Sequence, residues 1–269
     1  MGINSLHLLA SQIRYEVVKM TYEAKAAHLA SSLSCIDIVT VLYERILRLD
    51  AKQPDSPGRD RFILSKGHAA AALYAILAYK GIIDKSMLQT YGKKGSLLEE
   101  HPSPQIPGVE AATGSLGHGL PIGTGMALSA KIMKKGFRVF VLMSDGECNE
   151  GSVWEAAMFA AKKQLGNLCG IVDFNKWQAT GRSQEVLALE PLVDKWKSFG
   201  WNVHEIDGHD HELMEKTLKI DSGQQNLPTM IVAHTVKGKG ISFMEDDNNW
   251  HYRTPTEEEV QQAKNELGV

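Results

Sequence analysis

Two short segments of the chain carry residues suited to gripping a divalent cation. Ser144-Asp145-Gly146-Glu147-Cys148-Asn149-Glu150-Gly151 follows one apolar run, and Val172-Asp173-Phe174-Asn175-Lys176-Trp177 closes the next. Asp145 and Asn175 offer hard oxygen donors, which magnesium takes in octahedral geometry and commonly shares with phosphate oxygens. Gly146 and Gly151 let backbone amides approach an anion, and a helix starting near Ser152 adds its positive end. Either residue alone reads more simply as a turn cap, because Asp and Asn often sit at strand ends. The pair, placed across one crossover unit with glycine beside the aspartate, favours a metal and diphosphate site.

Histidine is the second group able to do chemistry, since imidazoles hydrogen-bond hydroxyls and move protons near neutral pH. Of the ten present, spacing alone lifts none of His28, His68, His101 or His251 above a turn or surface role. His68 comes nearest, because it follows a strand end at Lys66-Gly67. His7, His118, His204, His209, His211 and His234 read as structural or surface residues. Lys237-Gly238-Lys239-Gly240 resembles an anion-binding turn, although two lysines in a glycine loop are usually solvated. Cys148 has no evident base beside it and reads as packing.

These residues need a scaffold, and the apolar pattern supplies one. Leu6, Leu9, Ile13, Val17 and Met20 recur at helical spacing in a stretch from Ser5 to Ala30, and a second amphipathic stretch runs from Cys35 to Leu49. Strand-like runs follow at Arg61–Ser65, Arg138–Met143, Leu168–Asp173, Trp201–Ile206 and Met230–His234. Helical segments fall between them: an alanine-rich one through Tyr79, then Leu120–Lys135, Ser152–Gln164, Pro191–Phe199 and Asp210–Leu218. Alternating strands and helices, with strands apolar throughout, predict an α/β fold: one open parallel sheet covered by helices on both faces. Ligands of such sheets bind beyond the carboxyl ends of the strands, where Asp145, Asn175 and His68 lie. No linker or internal repeat divides the chain, so a single domain is expected.

Composition narrows the classes. The 269 residues are 43% hydrophobic and 23% charged with a net charge of −3, which fits a globular protein and gives no electrostatic case for nucleic acid or an anionic membrane. Three cysteines without CxxC spacing suggest neither a disulfide framework nor a zinc knuckle and fit a reducing cytoplasm. No basic, apolar leader opens the chain, so a cytoplasmic location is expected. No GxxxxGK[ST] or strand-linked GxGxxG occurs, which counts against a nucleotide-binding module.

The metal segments resemble the thiamine diphosphate motif, which opens with Gly-Asp-Gly and closes about thirty residues later with Asn. The resemblance to transketolase is closer and runs from about His28 to His251. It is carried by Arg59–His68, by Pro107–Gly119 with its Thr113-Gly114-Ser115-Leu116-Gly117-His118-Gly119, and by the metal motif. Ser144 stands where the motif usually has its first glycine, and His28-Leu29-Ala30-Ser31 stands where the family usually reads His-Pro-Gly, a departure on the substrate side.

The resemblance implies the cofactors thiamine diphosphate and magnesium, with calcium or manganese able to replace the latter. Asp145, Asn175 and the main-chain carbonyl of Trp177 would hold the metal. Gly146 would touch the diphosphate, Gly114, Ser115 and Leu116 would lie along the cofactor, and Glu150 would sit at a subunit contact by its aminopyrimidine. His68 and His251 would face the diphosphate and the substrate, and His28 and His101 the sugar hydroxyls. The reaction implied is transfer of a two-carbon ketol unit from a ketose to an aldose. The family's pyrimidine-binding domain, which carries the activating glutamate, and its C-terminal domain find no room in residues 1–269, where the helices of residues 5–49 pack on one diphosphate-binding domain. The expectation is therefore the N-terminal subunit of a split transketolase, paired with a separate C-terminal transketolase subunit in an α2β2 assembly. The rivals are the alpha subunit of a 2-oxo acid dehydrogenase, which would lack Leu64–Ala69 and Thr113–Gly119 as they stand here, a transketolase-like enzyme of unusual-sugar or polysaccharide synthesis, and an idle subunit that kept the fold.

Overall fold

The computed structural model describes residues 2–220 and 226–269. Five strands form one sheet: β1 (Arg61–Leu64), β2 (Val139–Ser144), β3 (Leu168–Phe174), β4 (Asn202–Asp207) and β5 (Thr229–His234). Their order is β1-β2-β3-β5-β4 and every neighbouring pair is parallel. β2 and β3 are buried along their whole length, as an all-parallel sheet with two covered faces requires. The register sets Ser144 beside Asp173 and Asp173 beside Ala233, so the turns that follow β2, β3 and β5 open at one edge.

The helices, in chain order, are α1 (Ile3–Ala24), α2 (Leu29–Ser34), α3 (Ile36–Val41), α4 (Ala70–Tyr79), α5 (Gly119–Ile132), α6 (Gly151–Lys162), α7 (Ser183–Val186), α8 (Leu192–Ser198), α9 (His211–Ile220) and α10 (Glu257–Leu267). Side chains alternate along each strand between two cores. Phe62, Leu64, Phe140, Leu142, Ile171 and Ile231 pack with α1 to α4 on one face. Ile63, Val141, Met143, Val172 and Val232 pack with α5, α6 and α8 on the other. Among the described residues, no helix is long and apolar enough to cross a membrane.

Three features differ from the sequence expectation. The helix expected over Ser5–Ala30 ends at Ala24: Lys25 and His28 both adopt left-handed conformations, with φ of 52° and 68°. The apolar pattern runs on because α2 is buried along its whole length, so nothing in the side chains marks the break. The stretch expected as one helix from Cys35 to Leu49 is α3 followed by a π-helical turn over Leu42–Ile46. Finally, α10 falls after the last expected element. It has a capping box between Thr256 and Glu259 and three glutamates in its first turn, the usual start signal of a helix, but only one of its residues, Ala263, is buried.

Candidate functional site

β2 ends at Ser144, and Asp145 begins the turn. The Asp145 carboxylate is fully buried. It accepts hydrogen bonds from the Gly146 amide (2.8 Å), the Lys176 amide (2.9 Å) and Ser183 Oγ (2.7 Å). β3 ends at Phe174, and Asn175, 4% exposed, accepts from the Trp177 amide through Oδ1 at 3.1 Å. The crossover α6 thus brings the two expected metal ligands to one point above the sheet edge.

They line a cavity of about 460 Å3 that also takes in His28, His68, His101 and His251. The His28 ring lies 5.5 Å from His68, 6.2 Å from His101 and 5.1 Å from His251, centroid to centroid. Gly114, Leu116, Gly146, Glu150 and Trp177 complete the wall. Ser115 is exposed and does not line it. Gly114 adopts φ +144°, and a Cβ there would stand 2.6 Å from the His101 ring, so this wall approaches the histidine as only glycine can. A larger opening of about 530 Å3 is lined by Arg48, Lys131 and Arg138. It holds none of the residues after the strand ends, whereas the histidine-lined cavity gathers the expected site residues.

Several residues of this site escape the sequence reading. Lys66, fully buried, ion-pairs with Asp173 and donates to the Ser31 carbonyl at 2.8 Å. Lys237, expected as a solvated loop lysine, is 1% exposed. It donates to Asn248 Oδ1 (2.6 Å) and contacts His251 Nδ1 (3.2 Å). An ammonium can only donate, so His251 Nδ1 accepts and its Nε2 carries the ring proton. The strained His28 backbone donates to the His251 carbonyl at 2.8 Å, which ties the two histidines together where local strain is commonly stored. Trp177 and Arg182 both donate to Asp246, and Asn248 donates to the Ala179 carbonyl. These bonds join the metal loop to the His251 loop across the cavity.

Electrostatics bear on whether the residues suit a cation and a diphosphate. Burial pushes the Asp145 carboxyl up to about 6, a penalty that an adjacent cation would reverse. Burial and then the nearby Lys66 charge pull Lys237 down to about 8, and both ammonium groups sit behind the cavity wall, Lys66 paired with Asp173 and Lys237 with Asn248 and His251. Gln178 Nε2 lies buried in the cavity wall without a hydrogen-bond partner, an unmet donor of the kind a phosphate oxygen satisfies. Among the described residues no group of three or more His, Cys, Asp or Glu is placed to hold a metal. The expected set contains only one such residue and completes its shell with amide, carbonyl and phosphate oxygens. The donor set therefore suits a cation that completes its shell with diphosphate oxygens or, without the cofactor, with water.

Burial lowers His28, places His68 well below its ordinary value and takes His251 to about 3, with like charges nearby adding to the effect. These rings are neutral at pH 7 and offer one donor and one acceptor each. A testable consequence concerns Asp145. Protons compete with the cation below the folded value of about 6 and not above it. Mn2+ titrated alone, without diphosphate, is expected to bind with constant affinity from pH 7 to 8 and about tenfold more weakly for each unit below pH 6. Affinity independent of pH down to 4.5 would contradict the assignment.

Comparison with known proteins agrees with this geometry. Residues 5–269 match the family described as transketolase, thiamine diphosphate binding domain. The chain is 41% identical over 267 residues to one of the subunits of the apulose-4-phosphate transketolase of Phocaeicola vulgatus, covering 99% of this chain and 95% of that one. It is 39% identical to the 6-deoxy-6-sulfo-D-fructose transketolase subunit SqwG of a Clostridium species, covering 96% and 94%. The transketolase of Campylobacter jejuni superposes on all of this chain with a TM-score of 0.94 at 29% identity, while this chain covers 43% of it. The buried aspartate–asparagine pair, the histidine cluster and these matches together place the chain in the transketolase family, as its thiamine diphosphate-binding domain.

Proposed function

We propose that this chain is the metal- and diphosphate-binding subunit of a two-chain transketolase whose sugar substrates carry a terminal anionic group. The observation that carries the proposal is the convergence of Asp145, Asn175 and four histidines on one cavity, with Lys237 behind His251. Two relatives matched over nearly their whole lengths support the two-chain reading, because the name of each describes one subunit of an enzyme. Their names specify a phosphate in one case and a sulfonate in the other, which supports the substrate class.

In this reading Asp145, Asn175 and the Trp177 carbonyl hold the metal. Gly146 and Gln178 face the diphosphate, Gly114 and Leu116 lie along the cofactor while Ser115 points away from it, and Glu150 meets the partner subunit. Thiamine diphosphate, when bound, supplies the nucleophilic carbon that carries the two-carbon unit. The chain's own residues bind and orient around it. The partly enclosed cavity limits the access of water to the reacting centre. His251 presents its Nε2 proton to a substrate oxygen, a tautomer fixed by Lys237 at Nδ1. His28 and His101 hydrogen-bond sugar hydroxyls, and His68 faces the diphosphate and the substrate, which orients the ketose and aldose.

The test is an assay of the chain combined with its partner subunit, using ketoses that differ only in the terminal group. Transfer from a phosphorylated or sulfonated ketose is expected to exceed that from the uncharged sugar at least about tenfold in kcat/KM, the scale of one charge-assisted contact. Equal rates would overturn the substrate class. Lipoamide-dependent decarboxylation of a 2-oxo acid instead of ketol transfer would overturn the reaction.

A further inference from the structure

Glu147 is two residues beyond Asp145, is fully buried and does not line the cavity. Its Oε1 accepts from Ser65 Oγ and from the Gly117 amide at 2.9 Å, and its Oε2 accepts from the Ser144 amide at 3.0 Å. Ser65 Oγ in turn accepts from the Gly119 amide at 3.1 Å. One carboxylate therefore joins the end of β1, the end of β2 and the glycine loop that carries Gly114 and Leu116.

Gly117 is also held from the opposite side. Its carbonyl accepts from Ser152 Oγ, at the start of α6, at 2.8 Å. Its Cα faces Glu150 so closely that a Cβ would stand 2.5 Å from Glu150 Cβ, and its φ of +81° already favours glycine. Burial raises the Glu147 carboxyl, while its hydrogen-bond donors, Ser65 first, pull it back. No ion pair holds this carboxylate among the described residues, so its buried charge rests on well-directed donors, of which Ser144 lines the cavity and Gly117 adjoins its Gly114–Leu116 wall.

We propose that Glu147 is a positioning residue for the cofactor. With Ser152 it clamps Gly117 and so sets the gap between the Gly114–Leu116 wall and the Gly146–Glu150 wall into which thiamine diphosphate fits. The proposal rests on the cofactor reading given above. Glu147→Gln tests it with almost no change of shape, because either orientation of the amide sets an N–H against a backbone N–H, that of Gly117 or that of Ser144.

The experiment titrates thiamine diphosphate, at saturating Mg2+, into the two-chain enzyme carrying wild-type chain, E147Q, S152A or both, with urea midpoints measured alongside. E147Q is expected to raise the apparent cofactor Kd about tenfold or more, the effect of losing a hydrogen bond to a charged group. Its kcat at saturating cofactor should stay within about twofold, because no reacting atom is touched. S152A should raise Kd several-fold. Both changes release Gly117, so the double variant should cost less than the product of the single effects. A lowered urea midpoint with unchanged cofactor Kd in E147Q, or strictly multiplicative effects, would overturn the clamp. If E147Q does not fold, S152A alone decides, since an unchanged Kd there is equally contradictory. Failure of the wild-type complex to bind the cofactor would instead overturn the cofactor reading, and the clamp with it.

Discussion

Asp145→Ala is expected to lower ketol transfer by the two-chain enzyme at least about a thousandfold, the scale of several kcal/mol of metal-borne charge stabilisation. Asp145 is the only ionisable side chain in the expected metal set, so no neighbour replaces its charge. Its loss also leaves the Gly146 and Lys176 amides and Ser183 Oγ without their acceptor, which loosens the turn that brings Asn175 and Trp177 into the cavity. Calorimetric titration of thiamine diphosphate with Mg2+ should show no heat of binding, while circular dichroism reports whether the fold is kept. Activity within about tenfold of wild type would contradict the metal assignment.

The second large effect falls on stability. Lys66→Met should destabilise the chain by about 3–5 kcal/mol, because it removes one member of a buried ion pair and leaves the other uncompensated. Lys66 and Asp173 are both fully buried. Without the ammonium, Asp173 keeps among the described residues only the hydroxyls of Ser34 and Thr235 as donors, and the Ser31 carbonyl, which Ser34 Oγ also approaches at 3.1 Å, loses its charged donor. The shift is read as a fall in the urea midpoint at constant m-value. Adding Asp173→Asn to Lys66→Met should restore part of the loss, since it removes the orphaned charge. A single-variant cost below about 1 kcal/mol would show that the pair contributes little.

The parts of this site that the sequence makes legible are those fixed by local rules. Asp145 and Asn175 are readable because each ends a buried strand, and parallel topology forces strand ends to one edge. The two-faced parallel sheet follows in the same way from strands such as Val139–Ser144, buried at every position. His28, His101 and His251 converge only through tertiary packing, and resemblance alone points to them. Lys237 is misleading in sequence because a lysine at the start of a glycine-rich turn is usually solvated. Here Asn248 and His251, which follow it in the chain, fold back to accept its N–H groups. The break at Lys25–His28 is invisible for another reason: apolar periodicity reports which face is buried, and both α1 and α2 bury theirs in one core. Glu147 looks like an ordinary charged residue of the motif, and its role needs the loop around Gly117, thirty residues upstream.

The proposed mechanism rests on a single division of labour, in which the chain would hold metal and diphosphate while a separate subunit would complete the reacting centre. The most direct measurement compares ketol transfer by the chain by itself, by its partner by itself and by the mixture, each at saturating thiamine diphosphate and Mg2+. Activity is expected only in the mixture, rising to a plateau at one partner per chain and lost with Asp145→Ala. Full-rate transfer by this chain by itself would contradict the division.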